Sequence, residues 1–131
     1  MKQIVPLLVV LLIGCAAPEV KRYGWVTGLK TEKAAYYRQL HAKPWPSVNQ
    51  KLKDCHIQNY SIYVKEIEGK LYLFSYLEYT GKDFDKDMKR MAADPETKRW
   101  WKETDPCQQP LPDAALKGQI WSDAVEVYHL P

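Results

Sequence analysis

Residues 70–79 read KLYLFSYLEY, with Leu71, Leu73, Leu77 and Tyr79 on one face of a strand and Tyr72, Phe74 and Tyr76 on the other. Both faces of this strand need cover. Its neighbour upstream is residues 56–65 (HIQNYSIYVK), joined to it through a turn containing Glu68-Gly69, so the pair forms a hairpin. In a chain of 131 residues the helices suffice for one face of the resulting sheet. The other face is expected to meet a second sheet, and a partner subunit is the simplest source.

Working outward, residues 22–30 (RYGWVTGLK) alternate Tyr23, Trp25, Thr27 and Leu29 against small or charged partners and read as a first strand. Thr31 is placed to cap a helix through Leu40, with Ala34, Tyr37 and His41 on one side. The triplet Pro44-Trp45-Pro46 interrupts it. Ser47 with Gln50 three positions on has the form of a capping box for a second helix over residues 48–55, burying Val48, Leu52 and Cys55. Beyond the hairpin, Phe84, Met88 and Met91 recur at helical spacing over residues 83–93. Asp94-Pro95-Glu96 restarts a helix that delivers Arg99-Trp100-Trp101. Residues 104–122 lack periodicity and read as a long loop, and residues 124–130 (AVEVYHL) as a terminal strand. The order β-α-β-β-α-β is that of the α+β, ferredoxin-like or split βαβ fold.

The N-terminus reads as an address. Met1-Lys2-Gln3, an apolar run over residues 4–13 and small residues around Gly14 have the form of a secretory signal, too short to span a membrane. Leu12-Ile13-Gly14-Cys15 resembles the lipobox of bacterial lipoproteins. The expected organisation is therefore a signal peptide at residues 1–14, a lipidated tether at 15–21 carrying the anchor on Cys15, and one domain at 22–131. This makes the protein an exported bacterial lipoprotein on the periplasmic side or the cell surface, touching membrane through its anchor alone. Cys55 and Cys107 remain as an even pair, open to a disulfide or to two free thiols.

Composition narrows the function. The charge of +3 comes from 19 Lys plus Arg against 16 Asp plus Glu and forms no basic block, which argues against a nucleic-acid partner. No CxxC, HExxH or His-rich cluster supports a metal site, and the acidic run Asp83, Asp85, Asp87 lacks the Gly and terminal Glu of an EF-hand. Five Trp and nine Tyr against two Phe give aromatic faces with polar handles, suited to interfaces or to sugars. Of the three His, His41 lies one turn after Tyr37 near a helix end and is the natural general acid or base; a helix-terminal or solvated His is the plain alternative. Trp100-Trp101 offer a platform for a sugar ring or, equally, core and dimer contacts. Tyr60 shares a face with Ile62 and Val64, where packing is the default reading.

Taken together, Tyr37-Arg38-Gln39-Leu40-His41 with Pro44-Trp45-Pro46, then Asn59-Tyr60-Ser61-Ile62-Tyr63, then Arg99-Trp100-Trp101-Lys102, then Glu126-Val127-Tyr128-His129-Leu130-Pro131 resemble the L-rhamnose mutarotase family, in order and over nearly all of the domain. The resemblance implies a homodimeric α+β barrel that interconverts the anomers of a deoxy-hexose without cofactor or metal. It implies His41 as the catalytic proton donor and Tyr37, Tyr60, Trp100 and Trp101 as substrate-binding residues. L-rhamnose is the first candidate, with L-fucose or another aldose open. Two alternatives stand beside it: a catalytically silent sugar-binding or assembly lipoprotein of the same fold, and a haem-handling or quinol monooxygenase on the same barrel.

Overall fold

The computed structural model describes residues 19–131; the signal peptide at 1–14, Cys15 and most of the tether lie outside the described residues. Regular structure begins at the tether's last position, because β1 runs Lys21–Leu29. It pairs antiparallel along its whole length with β3 (Lys70–Tyr79), which pairs in turn with β2 (Ile57–Ile67). The other edge of β1 is shared by two short strands, β4 (Gln108–Gln109) and β5 (Ser122–Ala124). The order β2-β3-β1-β4 is the antiparallel sheet of the ferredoxin-like fold, as the strand and helix sequence predicts.

The β2–β3 turn works because Glu68 (φ 50°) and Gly69 (φ 76°) both take left-handed conformations, the requirement of a two-residue hairpin whose twist matches its strands. Paired residues share a face, so Tyr23, Trp25, Thr27 and Leu29 lie with Leu71, Leu73, Ser75, Leu77 and Tyr79. Helices cover this inner face: α1 (Ala34–Ala42), α2 (Pro46–Asp54), α3 (Phe84–Ala93) and α4 (Pro95–Thr104). Two apolar clusters result, one around Cys55, Ile57, Leu77, Tyr79 and Met91, the other around Leu29, Tyr37, Leu73 and Cys107. Cys55 and Cys107 belong to different clusters, and both are free thiols. The outer face carries Tyr63 (63% exposed) and Phe74 (38%) beside the half-buried Tyr72 and Tyr76.

Helix starts depart from the sequence reading in two places. Thr31 opens a short 3-10 turn, Thr31–Lys33, and α1 begins without a side-chain cap. Ser47 and Gln50 form no capping box: Pro46 occupies the first turn of α2, Trp45 is its N-cap, and Gln50 bonds Asp54 instead. Asp83 and Asp94 do cap α3 and α4, accepting from the backbone N–H of Lys86 and Thr97.

The segment read as a loop over residues 104–122 holds a 3-10 turn (Asp105–Cys107), β4 and the short α5 (Pro112–Leu116). The terminal strand is also shorter than its alternation suggests. β5 ends at Ala124, and Val125, Val127, Tyr128 and Leu130 are exposed, 75–94% each. Where the ladder stops, the Arg22 guanidinium grips the Glu126 carboxylate through two nitrogens at 2.7 and 2.9 Å.

Under the far end of the sheet, the buried Asp87 accepts from the hydroxyl of Tyr79 (2.7 Å), from His56 (2.8 Å) and from Arg90 (2.7 Å). The Tyr79 bond first, with those from His56 and Arg90 after it, holds the Asp87 carboxyl below its usual range against the opposing effect of burial. A group with a depressed folded-state pKa contributes stability above its unfolded value near 3.9 and loses it as pH falls through the folded value. Tyr79→Phe is expected to cost about 1.5–3 kcal/mol at pH 7. Chemical denaturation at pH 7 and again below pH 3 should show that deficit shrinking in acid; a deficit that does not change with pH would assign Tyr79 to packing alone.

Candidate active site

Between the sheet's inner face and the helices lies a cavity of about 1180 Å³ that draws its walls from both apolar clusters. Tyr37, His41, Tyr60, Trp100 and Trp101, which come from α1, β2 and α4, all line it. The sequence thus named five residues that the fold brings to one place.

On α1, Tyr37 and His41 sit one turn apart, with ring centroids 4.2 Å apart. The Nδ1 of His41 is 2.9 Å from the backbone carbonyl of Tyr37. A carbonyl can only accept, so Nδ1 carries the proton and the neutral ring presents its lone pair at Nε2. Burial lowers the His41 pKa below the imidazole norm, outweighing the opposite pull of that carbonyl bond.

On β2, Tyr60 owes its direction to an irregularity. Pairing with β3 runs Gln58↔Glu78 and then Ser61↔Tyr76, so Asn59 and Tyr60 together oppose Leu77. Asn59 absorbs the extra residue at φ 47°, a left-handed conformation that Asn tolerates. Its amide donates to Glu78 on the outer face (2.6 Å), and Tyr60 turns inward with Ile57 and Ile62. Tyr60 is 42% exposed because its ring lines an open cavity wall, yet desolvation pushes its hydroxyl up to about 12. Desolvation also raises Tyr37, more strongly than the Gln108 amide lowers it. Both phenols are protonated at neutral pH and keep an O–H to donate to a ligand.

The aromatic floor is built on α4. Trp100 is buried, its ring meeting His41 edge-on at 5.2 Å and Trp45 edge-on at 5.3 Å. The Arg99 guanidinium lies over Trp45, 5.0 Å from its centroid. Trp101 packs partly against the Cys55 cluster while still reaching the cavity.

Sequence reasoning missed several wall residues. Asp105, Gln108 and Trp121 fall in the stretch read as loop, where no periodicity marks a side chain's direction. Desolvation raises the Asp105 carboxyl more than its bond to Thr104 lowers it. Gln108, buried, sends its amide toward the Tyr37 hydroxyl (3.5 Å). Among the described residues no group of three His, Cys, Asp or Glu converges to hold a metal.

A ferredoxin-like sheet with an aromatic cavity and one neutral imidazole is the form of a small-molecule enzyme domain. A family model described as L-rhamnose mutarotase matches residues 22–130. The L-rhamnose mutarotase of Bacillus subtilis (strain 168) is 31% identical over 112 residues, 85% of this chain and 99% of that protein. That of Lactiplantibacillus plantarum is 29% identical over 109 residues, 83% of this chain and 97% of that protein. In fold, the chain resembles the crystal structure of an L-rhamnose mutarotase from Formosa agariphila, with a TM-score of 0.63 at 23% identity, covering 85% of this chain and 99% of that one. The chain belongs to the L-rhamnose mutarotase family and is by that membership a carbohydrate isomerase.

The same comparisons correct the expected location. Matches of 109–112 residues account for 97–99% of the two relatives, so those proteins consist of this domain and have no counterpart of a lipidated tether. The exported, envelope-anchored lipoprotein is withdrawn, and with it the silent lipoprotein alternative. No helix among the described residues is long and apolar enough to cross a membrane.

Following the His41 imidazole by NMR should give a titration midpoint below the ordinary 6.5, with the Nδ1-protonated tautomer above it. A midpoint at or above 6.5 would contradict its burial against Trp100.

Proposed function

We propose that this protein interconverts the α and β anomers of a deoxy-hexose, L-rhamnose first among candidates, with His41 as the acid/base group and Tyr37, Tyr60, Trp100 and Trp101 holding the sugar. The observation that carries the reading is the His41 ring, its Nδ1 taken up by the Tyr37 carbonyl, in the wall of a cavity shared with phenols and indoles. Family membership supports the reaction, and the names of the relatives support the sugar.

Opening a pyranose hemiacetal moves two protons. The anomeric O–H gives its proton to a base as C1 becomes a carbonyl, and the ring oxygen takes a proton as its bond to C1 breaks. Nε2 of neutral His41 suits the first transfer, and a protonated phenol or a water suits the second. Rotation of the aldehyde about the C1–C2 bond and reversal of both transfers close the other anomer. In that reversal the imidazolium at His41 returns its proton to the carbonyl oxygen as the attacking hydroxyl gives its own back to the group that supplied it. Flat aromatic faces hold the apolar side of the sugar throughout, so that the open chain is not released.

The protein acts, in this proposal, as a homodimer. Val26, Tyr63, Tyr72, Phe74 and Tyr76 share the outer sheet face, and no element of the described chain covers them. A second copy laid sheet to sheet would bury that face and leave each cavity intact on the helix side.

Saturation-transfer NMR with L-rhamnose, L-fucose and D-glucose tests the reaction. Exchange between anomers should be accelerated for a deoxy sugar and fall by about 100-fold or more in His41→Asn, in keeping with the usual worth of a general acid/base group. The acid limb of kcat/KM should lie below pH 6.5 and vanish in that variant. Acceleration that survives His41→Asn would remove His41 from the mechanism. For the dimer, sedimentation should give twice the chain mass, and Phe74→Lys with Tyr63→Lys should give monomers; a monomeric wild type would refute it.

A further inference from the structure

Gln108 is 6% exposed, and its Oε1 is the one buried side-chain polar atom among the described residues that has no hydrogen-bond partner. Its direction is fixed by the sheet: Gln108 pairs with Leu29, so its side chain projects from the inner face with that residue. There it helps line a recess of about 70 Å³ with Tyr37, His41, Tyr60, Thr104 and Asp105. That volume is on the order of two liquid-water volumes, enough for one hydroxyl-bearing carbon.

We propose that Gln108 is a specificity-determining residue, whose Oε1 reads one ring hydroxyl of the sugar; this deepens the mutarotase reading and rests on it. The amide Nε2 donates to the Tyr37 hydroxyl at 3.5 Å, so the other end of the amide is an acceptor. The Tyr37 phenol, kept protonated by burial, accepts that bond and retains its own O–H to donate. Acceptor and donor thus belong to one recess, where a ring hydroxyl can give its proton to Oε1 and accept from Tyr37. A hydrogen or a methyl group at that place would leave Oε1 buried and unpaired, and this is the asymmetry by which a polar site rejects an analogue lacking its hydroxyl. The 6-methyl end of a deoxy-hexose is therefore directed away from the recess, toward the indole walls.

The test compares wild type, Gln108→Met and Gln108→Glu with L-rhamnose and with its 2-, 3- and 4-deoxy and fluoro analogues. Anomer exchange and affinity are both read by ligand-observed NMR. In wild type one deoxy analogue should lose about 10- to 100-fold in kcat/KM, as expected for leaving a buried acceptor unpaired. Gln108→Glu, which retains an acceptor, should keep that ranking, whereas Gln108→Met should treat the analogue and the parent sugar alike. The fluoro sugar at the same position accepts weakly and cannot donate, so wild type should reject it as it rejects the deoxy sugar. This last comparison decides the matter even if Gln108→Met does not fold.

Equal handling of all analogues by wild type, or an unchanged ranking in a folded Gln108→Met, would overturn the assignment and leave the mutarotase reading intact. Exchange accelerated for no sugar would remove the mutarotase reading instead. The affinities would then settle Gln108: selective loss with one deoxy analogue supports it, and equal affinity or no binding overturns it.

Discussion

Strand β1 must serve two partners on one edge, and the shape of the site follows from that. β5 takes Gly24–Val26 and β4 takes Gly28–Leu29, end to end, so the chain between them has to leave the sheet and return. A side chain at residue 28 would not permit this arrangement: a β-carbon on Gly28 would lie 2.6 Å from the backbone oxygen of Gln109. Beside it the fully buried Thr27 donates its hydroxyl to the carbonyl of Ile120 at 2.7 Å, tying down the returning chain. Trp121 then packs against the Leu29 cluster and closes that side of the cavity. One glycine and one threonine of a single strand thereby hold both ends of the segment that carries the recess.

The opposite wall depends on a single extra residue. A strand of strict alternation would put Ile57 and Tyr60 on opposite faces, since they are three apart. The bulge at Asn59 restores them to the same one, placing Ile57 in the core beneath the cavity and Tyr60 in its wall. Asn suits the position twice over, by tolerating φ 47° and by spending its amide on the Glu78 carboxylate. That carboxylate also accepts from Gln58 and Tyr76, so the irregularity is anchored on the outer face by hydrogen bonds.

These two devices mark the limit of what the sequence discloses. The long strands were legible in KLYLFSYLEY and RYGWVTGLK because burial on one face imposes a period of two. Helix α3 was legible for the analogous reason at a period near four, through Phe84, Met88 and Met91. Tyr37 and His41 could be placed together because one helical turn separates them, whereas their meeting with Tyr60 and Trp100 came from a family resemblance and not from spacing. Alternation also misled, since AVEVYHL alternates well yet pairs no further than Ala124. Periodicity describes a segment's faces and is silent on whether a partner edge is there to pair with. The register of β5 would set Arg22 opposite Glu126, and it is their side chains, not a backbone ladder, that meet. Gln108 and Asp105 were illegible for a simpler reason: two-residue strands and single turns are too short to impose any period.

The electrostatics of the cavity suit an uncharged substrate that must pass two protons. Burial drives every group along one wall toward its neutral form, with His41 lowered and Tyr37 and Tyr60 raised. A base that is neutral before it acts gains a charge only in transit, and its imidazolium is destabilised by the same desolvation that lowered its pKa, which favours prompt return of the proton. Asp105, which lines the recess, is driven the same way, desolvation raising its carboxyl as well. The same burial makes the unpaired Oε1 of Gln108 consequential, because an acceptor with no partner in the protein is satisfied by what enters the recess. Chemistry and selectivity in this domain thus draw on one physical condition, the desolvation of polar groups in a pocket walled by Trp100, Trp101 and Trp121.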